Sequence, residues 1–255
     1  MMKKSILYNQ NFFKDRRLVA DIVNLAGFTH QDIVYEIGPG RGIITRELMK
    51  TAGKVVAIEL DPRLAGQLKV EFSPNPKIKI IKADFLTFSI PEKNYQVFSN
   101  IPFNLTAKII RKLLTSYGLK QAFLVVQKEA AEKFCGRPKT TQFSVLHQPW
   151  FTFEVIRNFD PTDFLPAPGV ETVLLKISRR TAPLVAQISQ SDFIHFVELG
   201  FNRWRKNLGK NFKDIFTYKQ WRRLAHDLKF PLKSQPTDLT FPHWLGIFNF
   251  YKTIK

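Results

Sequence analysis

Between residues 32 and 178 the chain alternates between short runs of apolar, often β-branched residues and longer segments whose apolar residues recur every three or four positions. Such runs are typical of strands buried on both faces, and such segments are typical of amphipathic helices. Strands separated by helices of about 10–15 residues form βαβ units, so the pattern predicts an α/β fold with a parallel sheet. The predicted strands are IVYEIG, KVVAIEL, KIKIIKAD, NYQVFS and QAFLVVQ, then two near residues 151–156 and 172–177. The predicted helices are IITRELMK, PRLAGQLKVEF, AKIIRKLLTSY and KEAAEKFC.

A different pattern begins near residue 180. The segment TAPLVAQISQSD is polar, contains Pro183, and ends in a possible helix N-cap at Ser191 or Asp192. The segments FIHFVELGFNRW, KNFKDIF and YKQWRRLAHDL that follow have helical periodicity. We therefore predict two domains, an α/β domain over residues 1–179 and a small all-helical domain over residues 180–255.

The charge of the chain indicates the class of its partner. Its 255 residues carry a net charge of +18, and its pI is about 10.0. A charge imbalance of this size predicts a polyanionic partner, and nucleic acid is favoured over an anionic membrane surface because neutralising phosphates releases counterions. The alternative is that the charge serves solubility alone.

The basic residues are concentrated in the C-terminal domain. Between Arg203 and Lys233 there are ten basic and two acidic residues, a net charge of +8. Charged helix faces usually mix both signs, so single-sign charge among aromatic residues favours a surface that contacts phosphates. The aromatic residues themselves are expected to belong to the core. The predicted RNA contacts in this region are Arg203, Arg205, Lys206, Arg222 and Arg223.

Composition also limits the chemistry. Cys135 is the single cysteine, so no intrachain disulfide forms, and the five histidines lack metal-ligand spacing. We expect no structural metal. The N-terminus has an apolar patch too short for a signal peptide, and no window approaches the roughly 18–20 apolar residues of a membrane span. These features predict a soluble, cytoplasmic protein without a membrane partner.

Three successive strand ends carry residues suited to an adenosine cofactor. The motif EIGPGRG (36–42) follows the first strand, and Gly38 and Gly40 there allow a tight turn and close approach of the backbone to a ligand. Glu59, 21 residues after Gly38, ends the next strand and can accept hydrogen bonds from ribose hydroxyls. Asp84 follows the third strand and can accept from an adenine amino group. Ile43 stands where a dinucleotide fingerprint has its third glycine, which disfavours an NAD-type loop.

The fourth strand ends in Asn100-Ile101-Pro102-Phe103, which resembles the [D/N]-x-P-[Y/F/W] motif of amino-methyltransferases. The Asn100 side-chain oxygen and the Ile101 carbonyl can hold the two hydrogens of an adenine N6, so that its lone pair points at a sulfonium methyl. Pro102 stiffens the loop, and Phe103 can stack on an extruded base. The alternative is an ordinary strand-to-helix turn with a buried phenylalanine.

Together these motifs resemble the rRNA adenine N6-methyltransferases, a family with a Rossmann-like sheet that uses S-adenosylmethionine. The resemblance runs from about residue 8 to the C-terminus. It is seen in QNFF, EIGPGRG, AIELD, ADFL, NIPFNLTAKII, FLPAPGVETVLLKI and the basic helical tail. By this resemblance the cofactor contacts are Asn11, Phe13, Gly38, Glu59, Asp84 and Asn100, and Phe103 matches the stacking aromatic. Within the N-terminal arm, Lys14, Arg16 and Arg17 suggest phosphate contacts.

The branch of the family follows from finer details. KsgA-type enzymes, which act on 16S rRNA, usually carry N-L-P-Y, whereas the macrolide-resistance Erm enzymes carry N-I-P-Y or N-I-P-F. The NIPF of this chain and its tail resemble the Erm branch. The resemblance implies methylation of one adenine in 23S rRNA before full ribosome assembly, by a monomer, with resistance to macrolides, lincosamides and streptogramin B as the result.

Four alternatives remain open at this stage. The nearest is a KsgA-type 16S rRNA dimethyltransferase. A DNA adenine methyltransferase would more often show D/N-P-P-Y, and an NAD-dependent dehydrogenase has no reason to be so basic. A catalytically silent RNA-binding protein is the alternative of another class, although its cofactor residues would be expected to have decayed.

Overall fold

The computed structural model describes residues 11–91, 93–202 and 207–255, and it divides the chain into two compact units. One unit contains the chain up to Ala131 together with Glu154–Arg179, and the other contains Glu132–Phe153 and Arg180–Lys255. The predicted boundary at 179/180 coincides with one of the three points where the chain passes between units. The predicted limits do not include residues 132–153 in the second unit.

The strands and helices follow each other as the hydrophobic pattern indicated, with several additions. The strands are β1 (Phe12–Phe13), β2 (Ile33–Ile37), β3 (Lys54–Glu59), β4 (Ile78–Lys82), β5 (Tyr95–Asn100), β6 (Leu119–Gln127), β7 (Phe151–Phe159), β8 (Phe164–Leu165) and β9 (Thr172–Arg179). The helices are α1 (Arg16–Leu25), α2 (Ile43–Thr51), α3 (Pro62–Phe72), α4 (Thr106–Thr115), α5 (Lys128–Cys135), α6 (Gln142–His147), α7 (Gln190–Asn202), α8 (Leu208–Asn211), α9 (Tyr218–Asp227) and α10 (Phe241–Ile254).

Seven strands form one sheet in the order β4-β3-β2-β5-β6-β9-β7. The pairs from β4 to β6 are parallel, as predicted, but β9 runs antiparallel to β6. Strands β7 and β9 are neighbours in the sheet, and the chain between them contains only a 3-10 turn and the two-residue β8. This described segment contains no helix of the kind that usually makes the crossover between parallel neighbours. The sheet is therefore mixed, and its α/β class is confirmed.

Helices cover the strands because their apolar residues lie on one face. In α1 the Asp15 side chain caps the first turn by accepting a 2.7 Å hydrogen bond from the Arg17 N–H. Val19 and Ile22 of this helix are fully buried in one apolar cluster with Phe98 and Phe123 of the central strands. Burying such side chains contributes about 1.5–3 kcal/mol each, which stabilises the packing of α1 against the central strands.

The C-terminal unit has an aromatic core. Phe196 of α7 stacks on Phe212 with ring centroids 4.6 Å apart, and Trp244 of α10 is completely buried. Over its described part, residues 180–202 and 207–255, the segment predicted as all-helical contains only helices, turns and loops. Helix α7 begins at Gln190, so the expected caps Ser191 and Asp192 lie inside its first turn, and Asp192 pairs with Lys252.

Candidate active site

The candidate site lies where the order of the sheet reverses direction. From β2 the chain proceeds outward to β3 and β4, then returns to the other side of β2 with β5. The two central strands pair at Val34↔Gln96 and Tyr35↔Val97. Beyond that point the Ser99 hydroxyl, which is buried, accepts the Ile37 N–H at 2.7 Å. Ligands of open α/β sheets bind in the crevice at such a switch point, and here a cleft opens between the loops after β2 and β5.

The glycine loop adopts backbone angles that need glycine. Gly38, Gly40 and Gly42 have φ of 65°, 57° and 74°, in the left-handed region. A Cβ on Gly40 would lie 2.6 Å from Cε1 of Phe12, so the ring packs directly on the loop. A Cβ on Gly38 would meet nothing within 4 Å, and Gly38 lines the cleft. The loop therefore presents open backbone to the cleft on one side and is packed on the other.

Glu59, the last residue of β3, holds this loop. Its buried carboxylate accepts the Gly40 N–H at 3.0 Å through Oε2 and the Asp61 N–H at 2.9 Å through Oε1. Each carboxylate oxygen retains further acceptor capacity after one such bond. Gly40 and Glu59 are thus joined to each other at the strand edge beside the cleft, and they are not among the residues that line it.

The N-terminal strand β1 is fastened across the site. It pairs with β8 at Phe12↔Leu165 and Phe13↔Phe164, and the Phe13 ring lies 4.6 Å from that of Phe164. The Asn100 side chain donates from Nδ2 to the Asn11 carbonyl at 2.6 Å. Because that bond uses the amide nitrogen, it fixes the orientation of the amide and leaves Oδ1 as an acceptor.

The segment after β5 turns sharply into α4. Ile101 is buried, and the Pro102 carbonyl accepts the Leu105 N–H at 2.9 Å in a 3-10 turn that begins at Phe103. Phe103 is half-buried. The cleft brings together seven of the residues predicted from sequence, namely Asn11, Phe13, Gly38, Asn100, Ile101, Pro102 and Phe103.

The cleft also contains residues that the sequence did not single out. Phe12 covers the glycine loop, with the Arg41 guanidinium 5.4 Å from its ring centroid. Glu36, the penultimate residue of β2, is almost completely buried and accepts the Thr45 hydroxyl at 2.6 Å. Burial raises the pKa of Glu36 to about 8, because the charged carboxylate loses its hydration. The sequence signal that could have identified Glu36 is an acidic residue inside the otherwise apolar strand β2.

Asp84 lies further along the sheet edge, two residues after β4. It is exposed, its carboxylate caps the following turn by accepting the Leu86 N–H at 2.8 Å, and it does not line the cleft. Lys112 of α4 donates to the carbonyls of Phe85 and Phe88 in that turn. Desolvation lowers the pKa of the Lys112 ammonium, while the Asp84 charge opposes this shift. One side chain of the helix after β5 therefore braces the turn after β4.

The predicted RNA contacts are distributed over both units. Lys14, Arg16 and Arg17 are exposed at the start of α1, and Arg222 and Arg223 are exposed on α9. Arg203, Arg205 and Lys206 lie outside the described residues. The expected core role of the aromatic residues is confirmed for Phe212, Phe216 and Trp221, which are buried, whereas Trp204 is not described.

The described residues contain no group of three or more His, Cys, Asp and Glu side chains placed to hold a metal ion. Across the same residues, every helix is too short or too polar to cross a bilayer.

Comparison with known proteins identifies the family. The model of the ribosomal RNA adenine dimethylase family matches residues 1–253. A ribosomal RNA small subunit methyltransferase A from Clostridium perfringens is 34% identical over 86% of this chain and 80% of its own length. An rRNA adenine N-6-methyltransferase from Aeromicrobium erythreum is 36% identical over 75% of this chain, which spans 57% of that protein. The solved structure of the 23S rRNA methyltransferase ErmE has a TM-score of 0.89 at 28% identity, covering 95% of this chain and all of that one.

The fold and the site define a Rossmann-like methyltransferase whose methyl donor is S-adenosylmethionine. The chain belongs to the ribosomal RNA adenine dimethylase family and is an rRNA adenine N6-methyltransferase. The predicted enzyme class and cofactor are thereby confirmed. The choice between the 23S and 16S branches is not made by these relatives, since both kinds match.

Proposed function

We propose that this enzyme methylates N6 of one adenine in 23S rRNA and so confers resistance to macrolides, lincosamides and streptogramin B. The Asn100-Ile101-Pro102-Phe103 motif and the likeness to ErmE support this assignment. We further propose that it acts in the cytoplasm as a monomer on 23S rRNA before full ribosome assembly, which rests on the resemblance to the Erm branch.

The residues of the site fit S-adenosylmethionine, which supplies an electrophilic methyl group on a sulfonium when it is bound. Gly38 offers open backbone in the cleft, where Asn11 and Phe13 provide further contacts to the methionine and sugar portion. Glu59 retains acceptor capacity for ribose hydroxyls, and Asp84 remains exposed for an adenine amino group. In this proposal the chain binds and orients the cofactor through these five residues.

The observation that carries the proposed chemistry is the hydrogen bond from Asn100 to the Asn11 carbonyl. It aligns the Asn100 oxygen as an acceptor at the cleft, beside the backbone of Ile101. Two acceptors there would hold both hydrogens of the target N6 and turn its lone pair outward from the ring. Because the nitrogen becomes acidic only as it gains positive charge, no general base is needed before transfer, and orientation with electrostatic stabilisation supplies the catalysis.

Phe103 and Pro102 complete the proposed site for the target base. A base must leave its helix to reach the cleft, and enzymes that act on bases hold the extruded base by stacking. The 3-10 turn fixes the direction of Phe103, since the Pro102 carbonyl is already bonded to Leu105. A phenylalanine supplies the same stacking surface as the more usual tyrosine.

A 16S rRNA dimethyltransferase is the second candidate, favoured by the small-subunit enzyme from Clostridium perfringens. A methyl-transfer assay with radiolabelled S-adenosylmethionine and purified 23S and 16S rRNA in parallel separates the two, with primer-extension arrest to map the nucleotide. Label on one 23S adenine supports the proposal, and label on 16S rRNA moves the enzyme to the other branch. Label on neither would refute both assignments for these protein-free substrates and leave duplex DNA methylation or a catalytically silent RNA-binding protein to be tested next.

The role of Asn100 has its own test. Asn100→Ala should lower the methyl-transfer rate about 100- to 1000-fold, the loss typical of one aligned polar group at the reacting centre, with little change in RNA affinity. Asn158→Ala, which changes an exposed residue of β7, is the matched control and should retain the parent rate. A turnover unchanged by Asn100→Ala would refute the proposed chemistry.

A further inference from the structure

Tyr218 occupies an unusual position on the C-terminal unit. It is the first residue of α9, and a reciprocal pair of hydrogen bonds between Thr217 and Gln220 fixes where that helix begins. Its side chain is 74% exposed. Trp221, three residues further along the helix, is buried, donates from Nε1 to the Leu232 carbonyl at 3.2 Å, and packs against the rings of Phe216 and Phe230.

Two grooves meet at Tyr218, which lines both. One is bordered by Lys219, Arg222, Arg223 and His226, and the other by Lys210, Lys213 and Lys233. An exposed aromatic ring between two basic channels is the arrangement by which proteins hold single-stranded nucleic acid, with bases on the ring and phosphates in the channels.

The positive charge of these grooves is only partly neutralised. The Arg223 Nε lies 3.4 Å from Oδ2 of Asp227, and the Lys213 Nζ lies 3.8 Å from Oδ1 of Asp214, so these two cations are paired. Four other basic residues of the grooves form no ion pair with any residue that the structure describes, and these are Lys210, Lys219, Arg222 and Lys233. Cations held apart from carboxylates on a rigid surface favour a polyanionic occupant.

We propose that Tyr218 stacks on a base of a single-stranded RNA segment whose flanking phosphates lie in the two basic grooves. This inference rests on the proposed rRNA substrate and adds a second contact, separate from the base held at Phe103. A duplex could satisfy the basic side chains through its phosphates, but it offers Tyr218 no free base face. The surface therefore selects unpaired RNA.

Stacking is tested with Tyr218→Ala and Tyr218→Phe in the full-length protein. Binding is measured by fluorescence anisotropy with a single-stranded RNA 12-mer and with an RNA duplex of equal length. Tyr218→Ala should weaken single-strand binding by about 5- to 100-fold, and Tyr218→Phe should restore it. Tyr117→Ala removes a tyrosine that is 87% exposed in the other unit, and it should bind like the parent protein. Equal losses on single strand and duplex, or failure of phenylalanine to restore binding, would overturn the stacking role.

The grooves are tested through salt dependence. Arg222→Gln and Lys219→Gln should each reduce the slope of log K against log salt by about 0.7 on single-stranded RNA, since each removes about one phosphate contact. Lys79→Gln, which changes an exposed lysine on β4, is the charge control and should leave the slope unchanged. Unchanged slopes for both Arg222→Gln and Lys219→Gln would exclude phosphate binding here.

The inference and the proposed function can fail separately. If 23S rRNA is methylated and Tyr218→Ala raises neither the KM for rRNA nor the dissociation constant of the single strand, the surface is not used and the enzymatic assignment stands. If Tyr218→Ala weakens single-strand binding while no 23S rRNA is methylated, the surface stands and the 23S assignment fails. Binding of anionic lipid vesicles with no RNA preference would point to a membrane surface and overturn the inference.

Discussion

Replacing Glu36 by glutamine should stabilise the enzyme relative to the parent protein, by an amount that grows as the pH rises. Burial raises the pKa of Glu36 from 4.5 to about 8 in the folded protein, whereas the unfolded chain retains the ordinary value. Between these two values the folded protein binds a proton that the unfolded chain releases, so stability falls with increasing pH. Glutamine has nearly the same shape, can accept the Thr45 hydroxyl, and does not ionise.

The magnitude follows from the two pKa values. A shift from 4.5 to about 8 corresponds to about 5 kcal/mol of unfolding free energy, at about 1.4 kcal/mol for each unit of pKa. The difference between Glu36→Gln and the parent protein should therefore be small near pH 4.5, grow through the interval up to pH 8, and level off above it. The contribution of protonated Glu36 to stability is fully present below pH 4.5, falls as the pH rises, and is lost once the pH passes 8.

Denaturant unfolding of both proteins at pH 5, 6, 7 and 8 measures this difference. Contributions from groups that do not interact with residue 36 cancel, because the two proteins differ only at that position. Glu154→Gln, at an exposed position on β7, controls for the loss of a charge and should show no growing difference. A difference for Glu36→Gln that stays constant or shrinks with pH would refute the argument from burial.

Two further substitutions probe how the cofactor loops are held. Gly40→Ala should destabilise the protein by about 1–2 kcal/mol and weaken S-adenosylmethionine binding measured by calorimetry, because the φ of 57° and the Phe12 ring both oppose a Cβ at this position. Gly66→Ala on α3 is the control, since a Cβ there has open space, and it should be neutral or stabilising. Lys112→Met should raise the KM for S-adenosylmethionine roughly 10-fold, because the carbonyls of Phe85 and Phe88 lose a charged donor. The KM for RNA should change little. Lys112→Arg should recover part of that loss, and a parallel rise in both KM values would indicate a purely structural role.

The sequence predicted the sheet well because its strands are local features. A buried parallel strand is a continuous β-branched run, so β2, β3 and β5 could each be recognised from a few adjacent residues. Strands β1 and β8, with two residues each, have no periodicity to recognise and exist through pairing across about 150 residues of chain. The direction of β9 is likewise a property of the connections and not of the strand's own residues.

The same distinction applies to the site. Glu59 and Asn100 end their strands, and parallel strands bring their carboxyl ends to one edge, so their proximity to the glycine loop was predictable. The bond from Asn100 to Asn11 joins residues 89 positions apart, and no local pattern encodes it. Ser99 offered no signal either, because it accepts the Ile37 N–H across two strands whose residues lie 62 positions apart in the chain.

The passage of the chain between its two units at three points limits how evolution or an engineer can recombine this protein. Residues 132–153 come before β9 in the chain and include the start of β7, but their Trp150 ring lies 6.0 Å from Phe193 of α7, and α6 packs against α7 and α10. A tail exchanged between relatives at residue 180 would meet an α6 segment selected for a different partner. Working chimeras should therefore exchange two stretches together, and the C-terminal unit is inherited as a pair of segments and not as a detachable cassette.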